Sequence, residues 1–73
     1  MSELKYGVYK HFKGNLYRVV CVAKDSENLQ DMVVYQALYG EKGFWVRPLK
    51  MFLEIIERDG KTFPRFEYIG EEL

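Results

Sequence analysis

Trp45 and Arg47 are the two side chains of this sequence best suited to hold a ligand. They stand two apart in Phe44-Trp45-Val46-Arg47-Pro48. On a β-strand that spacing puts both on one face. Trp offers a large apolar plate with one N–H donor. Arg offers a planar cation with five donors that stacks on rings or clamps a carboxylate or phosphate. Tyr or Trp beside Arg is a composition seen at binding hot spots, although strand propensity alone also supplies aromatic residues. Gln36 can orient Arg47 or donate to a ligand if the two strands pair. His11 and Lys13 lie in Tyr9-Lys10-His11-Phe12-Lys13-Gly14 and add a titratable ring and a cation. The expected binding residues are therefore Trp45, Arg47, Gln36, His11 and Lys13.

Other chemistries lack their parts. A structural zinc site takes four Cys/His ligands and a catalytic one usually three protein ligands, but the chain has one His and one Cys. No metal and no cofactor is expected. A Cys–His nucleophile would need His11 within hydrogen-bond reach of Cys21, and Cys21 sits in Val19-Val20-Cys21-Val22, the setting of a buried, inert thiol. Gly40 and Gly43 have no following Lys-Ser/Thr and read as a turn, not a phosphate loop. Glu54 and Glu57 read as surface carboxylates. No catalytic residue is assigned.

The elements that must position these side chains are strands. Gly14-Asn15, Gly40 to Gly43 and Asp59-Gly60 are turn signals between β-branched and aromatic runs. They predict three hairpins: Val8–Phe12 with Leu16–Lys24, Met32–Tyr39 with Phe44–Arg47, and Leu53–Arg58 with Lys61–Ile69. Pro48 ends its strand for want of a ladder N–H, and Leu49-Lys50-Met51-Phe52 is expected to make one helical turn. A two-residue turn at Gly14-Asn15 pairs Phe12 with Tyr17, His11 with Arg18 and Val8 with Cys21. That makes Val8, Phe12, Tyr17, Val19 and Cys21 a core face. A four-residue loop pairs Tyr39 with Phe44, Leu38 with Trp45 and Gln36 with Arg47. Val33, Tyr35, Ala37, Phe44 and Val46 then face the core, and Gln36, Leu38, Trp45 and Arg47 point together on the other face. Each assignment flips if a turn is one residue longer. The expected fold is mostly β: a small SH3-like barrel of five to six antiparallel strands. An OB-like or open sandwich fold is the alternative.

Composition bounds the rest. The 73 residues make one domain, with a core over about 7–69 and a tail over 70–73. Apolar residues are 48% and aromatics 16%, enough for one core in a chain too short to hold two. A single cysteine fits a reducing compartment, the first residues lack the apolar stretch of a secretory signal, and no apolar run approaches a membrane span. A cytoplasmic protein without membrane contact is expected. Eleven basic residues balance eleven acidic ones, which argues against bulk electrostatic attachment to nucleic acid. Charge is uneven along the chain, since residues 1–24 hold five basic residues and one acidic one.

Several segments in order resemble a family of small bacterial proteins known as a domain of unknown function (family 1653). They are Tyr9 to Gly14, Ala23 to Glu27, Val33 to Gly40, Trp45 to Phe52, Asp59-Gly60 and Pro64-Arg65-Phe66. The resemblance runs from about Gly7 to Tyr68. It implies a small bacterial cytoplasmic protein and no particular activity, and it adds weight to His11, Lys13, Trp45 and Arg47.

The expected function is that of a non-catalytic β-barrel binding module contacting a peptide or a small anionic or planar group through an aromatic–Arg face. One alternative is a single-stranded nucleic-acid-binding domain, favoured by Lys5, Lys10, Lys13, Arg18 and Lys24 with nearby Tyr6, Tyr9 and Phe12. The other is a small enzyme, which lacks a defined nucleophile or cofactor motif.

Overall fold

The computed structural model describes residues 4–72. Strands β1 (Val8–His11), β2 (Leu16–Lys24), β3 (Asp31–Ala37) and β4 (Phe44–Pro48) are followed by a single turn of helix, α1 (Leu49–Phe52). Then come β5 (Ile55–Arg58), β6 (Lys61–Pro64) and β7 (Phe66–Gly70). Five strands form an antiparallel sheet in the order β4-β3-β2-β1-β7, and β5 and β6 form a separate hairpin. The chain is mostly β, as expected, and Leu49–Phe52 is the expected turn of helix.

The SH3-like barrel is not what the strand pairing describes. No pairing joins β4 to β7 among the described residues, so the sheet keeps two edges. It nevertheless curls. Phe66 on β7 lies 5.5 Å from Tyr35 on β3 and 5.7 Å from Tyr17 on β2. The Arg47 guanidinium, on the opposite edge strand, stands 5.7 Å from the Phe66 ring centre. That one side-chain contact, not a backbone ladder, reaches from edge strand to edge strand, and the outer side of β4 stays unpaired among the described residues.

Both large hairpin registers differ from expectation by three residues. In the first, Tyr9 faces Tyr17 and Lys10 faces Leu16. The turn closes through the His11 N–H to the Asn15 carbonyl (2.8 Å) and the Gly14 N–H to the His11 carbonyl (2.7 Å), so it spans Phe12 to Gly14. In the second, Tyr35 faces Trp45 and Val33 faces Arg47. The turn there spans Leu38 to Gly43, with Gly40 and Lys42 both at positive φ. An odd shift exchanges sheet faces. Phe44 and Val46, expected in the core, are therefore 64% and 59% exposed. Trp45 and Arg47 take the side of Tyr35 and Val33. A bulge at Val20 turns Cys21 to face Val34, away from the core, and the thiol is half-buried, not buried as expected.

The third hairpin is real but shorter. Asp59 and Gly60, at φ 53° and 76°, make the turn that their types specify. The strand expected to run from Lys61 to Ile69 breaks at Arg65. The Arg65 N–H donates to the Glu54 carbonyl (2.9 Å), whereas its carbonyl accepts from the Phe12 N–H (2.9 Å). At this residue the chain leaves the hairpin and joins β1. Gly70 closes β7 opposite Val8 instead of opening a tail.

The core is aromatic. Tyr9, Val19, Val33, Tyr35, Phe52 and Phe66 form one buried cluster. Phe52, carried in by α1, stacks on Phe66 at 4.1 Å and 6° and meets Tyr9 and Tyr35 edge-on. Burying such a ring contributes about 1.5–3 kcal/mol. One turn of helix would not persist alone; Phe52 holds it in place.

Candidate functional site

Where β1 runs into its turn, His11 sits half-buried among three rings. Phe12 is 4.6 Å away, Phe66 4.9 Å and Tyr17 6.3 Å. Strand pairing sets this arrangement, since His11 faces Phe66 across β1–β7. The Lys13 backbone N–H donates to His11 Nδ1 (3.1 Å), which leaves Nε2 to carry the proton of the neutral ring. Burial, then the charges of Arg47, Arg65 and Lys13, hold the His11 pKa below the ordinary histidine value. The ring is thus kept as a neutral donor within a cluster of cations.

These cations are unequally compensated. Arg65 makes two hydrogen bonds to Glu54 Oε1, at 2.7 and 3.2 Å. Arg47 has no carboxylate partner among the described residues; its Nε donates to the Tyr35 hydroxyl (3.3 Å) and its guanidinium faces Phe66. Lys13 leans toward the Phe12 ring (5.9 Å), which Arg58 (5.3 Å) and Arg65 (6.0 Å) also approach. Beside Phe12 lies an open cleft of about 320 Å³, lined by Lys10, His11, Phe12, Phe63, Pro64 and Glu67. Phe12 and Phe63 are 5.7 Å apart on its wall. The hydroxyl of Tyr17, the third ring near His11, shares a 2.7 Å hydrogen bond with that of Tyr39. Burial and that bond raise the Tyr17 pKa to about 12, so it stays a neutral phenol.

Of the five expected residues, three gather here: His11, Lys13 and Arg47. Trp45 is on the same sheet face but at the open edge, 55% exposed. Gln36 faces Phe44 and Arg18 on the opposite side, where its Nε2 donates to the Lys42 carbonyl (3.0 Å) and closes the β3–β4 loop. The expected grouping of Gln36, Leu38, Trp45 and Arg47 on one face is undone by the three-residue register difference. Sequence reasoning missed Phe66 and Arg65 as site residues. Their signal was present in Pro64-Arg65-Phe66, but the strand break that swings them beneath His11 was not. No group of three or more His, Cys, Asp or Glu side chains gathers as metal ligands among the described residues. No helix there is long and apolar enough to cross a membrane.

A family model described as "Protein of unknown function (DUF1653)" matches residues 7–68. A crystal structure of a protein of that family from Bordetella bronchiseptica is similar to this chain with a TM-score of 0.86 and 32% identity, over 94% of this chain and 91% of that one. Nothing among the curated proteins matches.

Proposed function

The chain belongs to the DUF1653 family, and since that description assigns no activity, we propose from the site itself a non-catalytic module that binds a small anionic group carrying a planar body. One observation carries the reading. In a molecule of zero net charge, three cations act on one half-buried histidine, and only Arg65 has a carboxylate partner among the described residues. An anion at the Arg47–His11–Lys13 side would meet a guanidinium, an ammonium and the His11 Nε2 donor. Its planar part would lie in the cleft against Phe12 and Phe63. Trp45 extends the same face toward the sheet edge. A bacterial, cytoplasmic setting belongs to the same proposal, as does the view of the curled sheet as an SH3-like barrel left open between its edges.

The test uses inorganic phosphate, a nucleoside and the matching nucleoside monophosphate, titrated into labelled protein. Amide and ring shifts should centre on His11, Phe12 and Phe63, with the monophosphate tighter than either fragment. Arg47→Ala should weaken monophosphate binding at least about tenfold, the equivalent of roughly 1.4 kcal/mol, while the melting profile stays cooperative. Shifts elsewhere, or an unchanged affinity in Arg47→Ala, would sink the reading. A second reading, single-stranded nucleic acid, draws on Phe12 with Lys13, Arg58 and Arg65 around its ring.

A further inference from the structure

The edge strand β4 carries three consecutive large apolar residues that are all open to solvent: Phe44 (64%), Trp45 (55%) and Val46 (59%). Sheet edges normally carry charges, prolines or bulges that discourage pairing. The other edge, β7, has Glu67 within it and Glu71 just beyond. Phe44 to Val46 has no such device, and Pro48 stands only at the strand's end.

The ladder direction fixes which backbone groups face outward. The Ala37 N–H donates to the Gly43 carbonyl (2.9 Å) in the same register as Tyr35–Trp45 and Val33–Arg47. In an antiparallel pair such hydrogen-bonded positions alternate with non-bonded ones. Gly43, Trp45 and Arg47 therefore turn their N–H and C=O toward β3. Phe44 and Val46 turn theirs away from β3, to the side of β4 where no strand is paired among the described residues.

We propose that this edge pairs with the same edge of a second copy, antiparallel, on a two-fold axis at Trp45. In that register Phe44 faces Val46 of the partner subunit, and the reverse pair repeats it. The four outward N–H and C=O groups of each copy's Phe44 and Val46 then meet the partner's. Trp45 faces Trp45 of the partner subunit at a non-hydrogen-bonded position, where side chains approach most closely. The aromatic and β-branched cross-strand pairs this creates are favourable ones. The adjacent register, centred on Val46, would set Phe44 opposite Pro48 of the partner subunit and lose a donor at each end. Self-complementarity within three residues selects a second copy as the occupant. The short contact makes the dimer weak and concentration-dependent, and it leaves Arg47 and His11 out of the pairing.

Sedimentation equilibrium from about 10 μM to about 1 mM, the range of a weak short contact, should show a monomer passing to a dimer. At the upper concentration the Phe44 and Val46 amides should gain protection from exchange, and the paired Trp45 rings should give an exciton couplet in circular dichroism. Val46→Pro removes an N–H that β3 does not use, and Val46→Lys adds a charge with the backbone intact. Either should return the protein to a monomer whose melting is nearly unchanged. A protein monomeric to about 1 mM, or a dimer that persists in both variants, overturns the proposal. Phosphate titration of these monomers tests the ligand site separately.

Discussion

At the scale of single residues, His11 decides the behaviour of the site. Its pKa is lowered by burial first and by Arg47, Arg65 and Lys13 next. A histidine held below its unfolded value binds fewer protons folded than unfolded, so stability rises with pH through that window. Its contribution is complete above the ordinary value near 6.5 and is lost as pH falls through the lowered folded value. His11→Gln should therefore flatten the fall in melting temperature below about pH 6.5. An anion held beside the ring favours the protonated form, so saturating phosphate should raise the His11 midpoint seen by proton NMR. That midpoint, and not the affinity, is the readout, because a phosphate ligand titrates in the same pH window. A midpoint unmoved by phosphate would separate His11 from the anion. The neighbouring Phe66 answers to packing: fully seated on Phe52 and facing His11, it should cost about 3–5 kcal/mol as Phe66→Ala in chemical denaturation. His11, Lys13 and Arg47 were legible because type alone marks them. Phe66 and Arg65 were not, because their importance comes from strand partners far away in sequence.

At the scale of elements, turns were legible and registers were not. Asp59-Gly60 specifies its own hairpin because both positions need positive φ. The other two turns contain Gly, but hydrogen bonds reaching to Asn15 and Gly43 set their lengths, and no local residue type encodes those. A three-residue error then moves Phe44, Val46, Trp45 and Arg47 across the sheet together. The β1–β7 junction gives a sharp test of element packing. Gly7 has φ 143°, and a Cβ there would stand 2.5 Å from the Gly70 carbonyl oxygen. That oxygen is backbone and cannot swing aside. Gly7→Ala should push β7 away from β1, lower stability by more than the ~1 kcal/mol of an ordinary Gly substitution, and speed amide exchange over Phe66 to Gly70. Because β7 also carries Phe66 and Tyr68 into the core, the loss should appear in near-UV circular dichroism as well.

At the scale of the whole molecule, the basic first third of the chain does not become a basic face. Lys24 is tied to Asp31 at 2.6 Å. Lys10 stands opposite Glu67. Arg18 donates to the Glu71 carbonyl (3.3 Å), and Lys5 lies over the Tyr68 ring (5.1 Å). What stays concentrated is the small set around His11 and Phe12: Lys13, Arg47 and Arg58, none with an ion-pair partner among the described residues. This distribution separates a module for one small anion from a nucleic-acid binder by salt dependence. Each phosphate neutralised on a single strand contributes about 0.7 to the slope of log K against log salt. Three cations allow a slope no steeper than about −2, and double-stranded DNA should show negligible affinity at physiological salt. Fluorescence anisotropy with a labelled single-stranded oligonucleotide over a range of salt concentrations measures the slope directly. A shallow slope with millimolar affinity fits a site that grips a single phosphate and stacks one planar group on Phe12. A slope near −5 with submicromolar affinity would mean that cations scattered over both sheet faces act together along a strand. It would move the function to the nucleic-acid reading.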